Sequence, residues 1–148
     1  MTGPAAGTSL APGDERVMNG RRLTLRLLPA TFAICRLEPG SPVPAWMPRS
    51  GFTAAIRTAH EFSVYCDERV VPQDVRAERG WRALELAGPF DFSETGVLAA
   101  VAAPLAEAGI SICALATYDT DYIFVRSGTL EHAAEILQAA GHCVSGKD

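Results

Sequence analysis

Aromatic residues are scarce in this chain, at 7% of 148 residues, although 48% of it is hydrophobic. A core of that composition has to be packed with alanine and aliphatic side chains, as one domain or two very small ones. Positive charge is not in surplus either: 13 basic residues stand against 17 acidic ones, for a net charge of −4. That balance gives no electrostatic footprint for nucleic acid. No run of roughly 18 apolar residues occurs, so no helical membrane span is expected. Nor does the start of the chain carry the charged and long apolar segments of a signal peptide. Cys35, Cys66, Cys113 and Cys143 form no C-x-x-C pair and have no partner at zinc spacing, so reduced core thiols and a cytoplasmic protein are expected. There is no Walker loop, no G-x-G-x-x-G and no serine in a nucleophile elbow. The chain is therefore expected to have no enzymatic activity, no metal and no cofactor.

What the sequence does contain is concentrated between residues 81 and 125. Trp81, Ala83, Leu84 and Leu86 predict a strand closed by Gly88-Pro89. Asp91 or Ser93 is the expected N-cap of a following helix, with Glu94 in the capping-box position. Val97, Leu98, Val101, Leu105 and Ala108 recur at helical spacing and Gly109 supplies a left-handed stop. Pro104 interrupts this stripe, and an interior proline costs about 3 kcal/mol and predicts a helix that kinks or tightens before Ala108. Residues 110–117 then read as a strand, 118–121 as a polar turn and 122–125 as a returning strand. Thr129 is a plausible cap for a helix with the stripe Leu130, Ala133, Ala134, Leu137 and Ala140, and residues 142–144 close the sheet. Strand, helix, strand, strand, helix, strand is the split βαβ order of a ferredoxin-like sandwich.

The first half is less regular. Residues 1–21, rich in Gly, Pro, Ala and Ser, predict a disordered extension. Leu23, Leu25 and Leu27 alternate, and residues 32–37 are strand-like after Pro29. Pro39, Pro42, Pro44 and Pro48 exclude a long helix, residues 52–59 and 62–66 predict two strands, and 76–80 reads as a charged connection.

Several polar features invite a chemical reading. Asp119 and Asp121 stand two apart, but a lone pair of acids supplies too few oxygens for calcium, and turn residues account for them. His60 and Glu61 are neighbours whose side chains point to opposite faces of a strand, which disfavours an acid–base pair. A structural or ligand-capping histidine fits better, while His132 and His142 are expected at the surface. The turn 90–97 and the turn 117–121 can face one ligand if the fold is a split βαβ unit. A helix N-terminus offers N–H groups to a carboxylate, Gly96 lets a ligand approach the backbone, and Glu94 and Asp121 can accept from an ammonium.

The segments GPFDFSETGVLAAVAAPLAEAGISI and TYDTDYIFV resemble the second module of small tandem ACT-domain proteins. These are relatives of the cytosolic arginine sensors of animal cells and, more distantly, of aspartokinase regulatory domains. The resemblance spans roughly residues 23–141. It implies an α+β protein of two ferredoxin-like ACT modules (βαββαβ), with antiparallel sheets and helices on one face: a degenerate module at 22–80 and a second at 81–148. It also implies an amino-acid ligand held between modules. The family's acids fall on Glu94 and Asp121, its Thr-aromatic pair on Thr117-Tyr118, and Ala116 stands where a Ser is usual. The expected ligand-binding set is Asp91, Ser93, Glu94, Thr95, Gly96, Val97, Thr117, Tyr118 and Asp121, with His60 and Glu61 from the first half. The expected ligand is an amino acid, a basic one being favoured by the two acids, and a homodimer is expected because one helix layer leaves the other sheet face open. The competing reading is a structural or interaction module with a vestigial pocket, pairing through sheet edges with itself or with an enzyme subunit.

Overall fold

The computed structural model describes residues 21–146; the extension expected at 1–21 lies almost wholly outside them. Strand β1 (Thr24–Leu37) is followed by β2 (Ala54–Arg57), β3 (Phe62–Asp67) and β4 (Ala77–Leu86). Helix α1 (Val97–Glu107), strands β5 (Ile112–Ala116) and β6 (Asp121–Arg126), helix α2 (Leu130–Ala139) and strand β7 (Cys143–Ser145) complete the chain. The second half therefore has the predicted element order. All strands join one 7-stranded sheet, β2-β3-β1-β4-β6-β5, with β7 pairing β1.

That single sheet departs from the expectation of two βαββαβ modules. Among the described residues the first half supplies β1, β2 and β3 to the common sheet and no α-helix. β1 is also one strand, not two, because Pro29 sits where the β1–β4 register shifts between Leu27 and Thr31. A residue without an N–H is tolerated at such an irregularity. Residues 77–80, expected as a connection, belong to β4. The register slips again between Phe32 and Ile34, and Gly80, at φ 81°, is the left-handed residue of the resulting bulge. The module boundary expected near Gly80 thus falls inside a strand.

β7 does close the sheet, but against β1 in parallel, through Thr24↔Cys143 to Arg26↔Ser145. In a ferredoxin-like unit the last strand lies beside the first, here β4. The N-terminal part of β1 takes that place instead, setting Leu25 opposite Leu86 and Leu27 opposite Leu84. Both helices cover one face. Val97, Val101 and Leu105 of α1 and Ala133 and Leu137 of α2 pack on Leu25, Leu84, Leu86, Ile123 and Val125. On the opposite face Phe32, Trp81, Ala83 and Phe124 are buried, partly under Phe52 from the connection 38–53.

Pro104 stays inside α1, and the reason is His142. Proline lacks the N–H that would bond the Ala100 carbonyl, four residues earlier. His142 Nε2 reaches that carbonyl at 2.9 Å. Its Nδ1 accepts the Leu23 N–H at 3.1 Å, which assigns the proton to Nε2 and makes Nε2 the donor. Expected at the surface, His142 is 6% exposed. It ties α1 to the chain entering β1. His142→Ala would orphan two buried backbone groups and is expected to cost about 2–4 kcal/mol. In a Pro104→Ala background the restored N–H can take the Ala100 carbonyl, so chemical denaturation should show a smaller cost for His142→Ala there.

Candidate functional site

α1 begins at Val97, three residues later than a Ser93 cap and five later than an Asp91 cap would place it. The Asp91 N–H donates to Glu94 Oε1 at 2.8 Å, the Glu94 N–H donates to the Asp91 carbonyl, and the Ser93 N–H donates to Asp91 Oδ1. The box therefore closes on itself as a turn inside the loop 88–96. The helix starts at Val97, with Gly96 at φ 81° as N-cap and no side-chain cap. Its first N–H groups are left without a side-chain acceptor.

The turn 117–120 is fastened to this loop. Phe90 N–H donates to the Asp119 carbonyl at 2.8 Å, and Thr120 Oγ1 donates to the Leu86 carbonyl at 2.6 Å. A Cβ on Gly88 would stand 3.1 Å from the Asp119 carbonyl, so glycine suits this approach. Within the turn, Thr117 N–H and Oγ1 both donate to the Thr120 carbonyl. Between loop and turn lies a cleft of about 180 Å³. Of the expected ligand-binding residues, Asp91, Glu94, Val97, Thr117, Tyr118 and Asp121 line it. Ser93, Thr95 and Gly96 flank it in the loop. His60 and Glu61 do not belong to it: they form the β2–β3 turn, at the sheet edge away from β5. There the Thr58 hydroxyl accepts both their N–H groups.

Phe90, Phe92, Asp119 and Thr120, which lie in the two turns but were not in the expected ligand-binding set, also line the cleft. Phe92 and Tyr118 meet edge to face at 5.1 Å on its rim, although both are largely exposed. An aromatic flanked by polar turn residues was the available signal. Arg21 is the other addition: its Nη1 lies 2.9 Å from Glu94 Oε2 and its Nη2 donates to the Thr95 carbonyl.

The acids of the cleft differ electrostatically. Asp91 is held below its ordinary pKa by the backbone N–H and hydroxyl of Ser93. Glu94 is held down by the Asp91 N–H and then by Arg21. Asp121 goes the other way, pushed up by burial. Its carboxylate makes no hydrogen bond or ion pair among the described residues. It stands on the helix side of β6, in register with Ala116. The arrangement offers donors at the helix start and one half-buried acceptor without a partner among the described residues. Among the described residues no group of three or more His, Cys, Asp or Glu could hold a metal ion, and no helix is long and apolar enough to cross a membrane.

A model of the ACT domain matches residues 76–139, and a model of an N-terminal domain matches 30–74. No curated protein matches the chain. Among solved structures, protein Atu0741 from Agrobacterium tumefaciens is 38% identical with a TM-score of 0.82, over 86% of this chain and 96% of that one. VC0802 from Vibrio cholerae is 20% identical, with a TM-score of 0.67 over 80% and 90% of the two chains. Aspartokinase III of E. coli, solved with aspartate and ADP, is 16% identical, with a TM-score of 0.56 over 80% of this chain and 32% of its own.

Because burial raises the Asp121 pKa in the folded chain, its charged form costs stability. The cost is absent below the unfolded pKa and grows as pH rises through the folded one. Asp121→Asn is therefore expected to be more stable than the parent at neutral pH. Urea denaturation across a pH series should show the difference closing as pH falls below the ordinary carboxylate range.

Proposed function

Residues 76–139 carry an ACT domain, and from that premise we propose that the chain is a non-catalytic regulatory protein that binds a free amino acid. The ligand lies in the cleft between the helix-start loop and the hairpin turn. The observation that carries this reading is the Asp121 carboxylate, half-buried and without a hydrogen bond or ion pair among the described residues. A half-buried carboxylate without a partner carries a desolvation cost that a ligand cation would offset. An amino acid supplies the cation, and its carboxylate suits the uncapped N–H groups at Val97. The cleft is small, at about 180 Å³, a size that suits a ligand no larger than an amino acid.

Charge favours a basic or neutral ligand over an acidic one. Asp91, Glu94, Asp119 and Asp121 line the cleft, and Arg21 is already engaged by Glu94. Residues 22–80 are read as a reduced ACT-like module whose strands have merged into the sheet of 81–148. The same reading makes the protein a homodimer, with β5, an outer strand, offering unpaired backbone groups to a second copy.

A thermal-shift screen of the twenty amino acids tests the proposal, since a ligand at 100 times its Kd adds about 2.7 kcal/mol. One or a few amino acids should raise the melting temperature. By calorimetry, Asp121→Ala is expected to weaken that ligand by about 1.5–3 kcal/mol, the range for a hydrogen bond to a charged group. Affinity unchanged in Asp121→Ala would remove the cleft as the site.

A further inference from the structure

A second and larger cavity, of about 710 Å³, opens on the sheet face turned away from α1 and α2. We propose that it is a binding site for an uncharged aromatic small molecule. It does not depend on the amino-acid reading, because Thr117 is the one residue common to the two linings.

Size comes first. Small-molecule sites run from about 300 to 1,000 Å³ and are mostly apolar with a few placed polar groups. The floor of this cavity is made by Leu28, Ala30 and Phe32 of β1 and Tyr122 of β6, and its wall by Phe52. The rings are set for aromatic company: Phe52 meets Phe32 edge on at 5.8 Å and Tyr122 tilted at 4.6 Å. Offset and edge-to-face contacts at such distances are the favourable ones.

The polar rim decides the ligand's charge. The Asp67 carboxylate accepts from the backbone N–H, Nε and Nη2 of Arg69, and is held below its ordinary pKa by them. The Tyr122 hydroxyl donates to Glu85 at 2.9 Å and its pKa is pushed up to about 12, chiefly by burial and then by Glu85. Thr117 is satisfied within its own turn. What remains are the hydroxyls of Ser50 and Thr53, which make no hydrogen bond among the described residues. No charged group of the lining is left for an ionic ligand, whereas one polar atom on an aromatic frame can be met.

The cavity is also preformed. Pro29 marks the β1 irregularity, and the carbonyls on either side of it, Leu28 and Ala30, are each held by the Arg82 guanidinium at 3.1 Å. Arg82 is 6% exposed. A floor pinned by a buried side chain needs little ordering when a ligand enters, which favours affinity.

Titration of the full chain with indole, followed by amide NMR, tests the proposal. Saturable shifts are expected at Leu28, Gly51, Phe52 and Thr117. Ala30→Trp fills the floor and should weaken indole at least about tenfold, as should Phe52→Ala, which removes the wall. The second variant keeps the test decisive if the first does not fold. Indole-3-acetate, its charged counterpart, should bind more weakly than indole. No saturable shift up to the solubility limit of indole, undiminished affinity in the folded variants, or tighter binding of indole-3-acetate would each overturn the assignment.

Discussion

Everything in this structure hangs on β1 being shared. Its 14 residues pair with β4 along most of their length, with β3 at one end and with β7 at the other. A strand buried by neighbours on both edges cannot be withdrawn without opening the whole sheet, so the two halves of the sequence are one cooperative unit. The two register slips are what let one strand do this. The first, at Pro29, turns carbonyls toward Arg82 and shapes the large cavity; the second, at Gly80, bends β4 where the halves meet. His142 adds the cross-tie, joining the start of β1 to the proline-broken turn of α1.

The cleft follows from that frame. β4 sits in the middle of the sheet, and its C-terminal end feeds the loop that carries Asp91 and Glu94. β6 pairs with β4 on the other side, Trp81↔Arg126 to Glu85↔Tyr122, and brings the turn before it alongside the same loop. Two hydrogen bonds then lock turn to loop. Asp121 is the first residue of β6 and is positioned by the ladder, not by a flexible loop. Rigid placement of an unpaired acid is what a binding site needs and what stability alone disfavours.

Much of the second half was legible in the sequence. The stripes Val97, Val101, Leu105 and Ala133, Leu137 are the buried faces of α1 and α2. That the turn before α1 and the turn before β6 stand side by side was legible too, because turn chemistry and family resemblance coincided there. The helix start was misplaced, since Asp91 and Glu94 satisfy a capping pattern locally and nothing in the sequence says that the turn closes before the helix begins. Residues 76–80 looked like a charged connection because β4 there pairs with partners 40 or more positions away, Ile34↔Glu78 and Cys35↔Ala77. Tertiary pairing overrides local propensity in such strands. His142 was placed at the surface for a related reason: its partners, Leu23 and Ala100, are distant in sequence. His60 and Glu61 were drawn into the site by residue type, although the sheet order sets them at the far edge.

The central claim is that Asp121 waits in the free protein for a ligand cation. A carboxyl NMR titration of Asp121, with and without the amino acid that raises the melting temperature, tests it most directly. In the free protein the pKa should lie above the ordinary value, as burial requires. Saturating ligand should lower it, because an adjacent opposite charge favours the ionised form. A pKa that does not move on saturation would contradict the account.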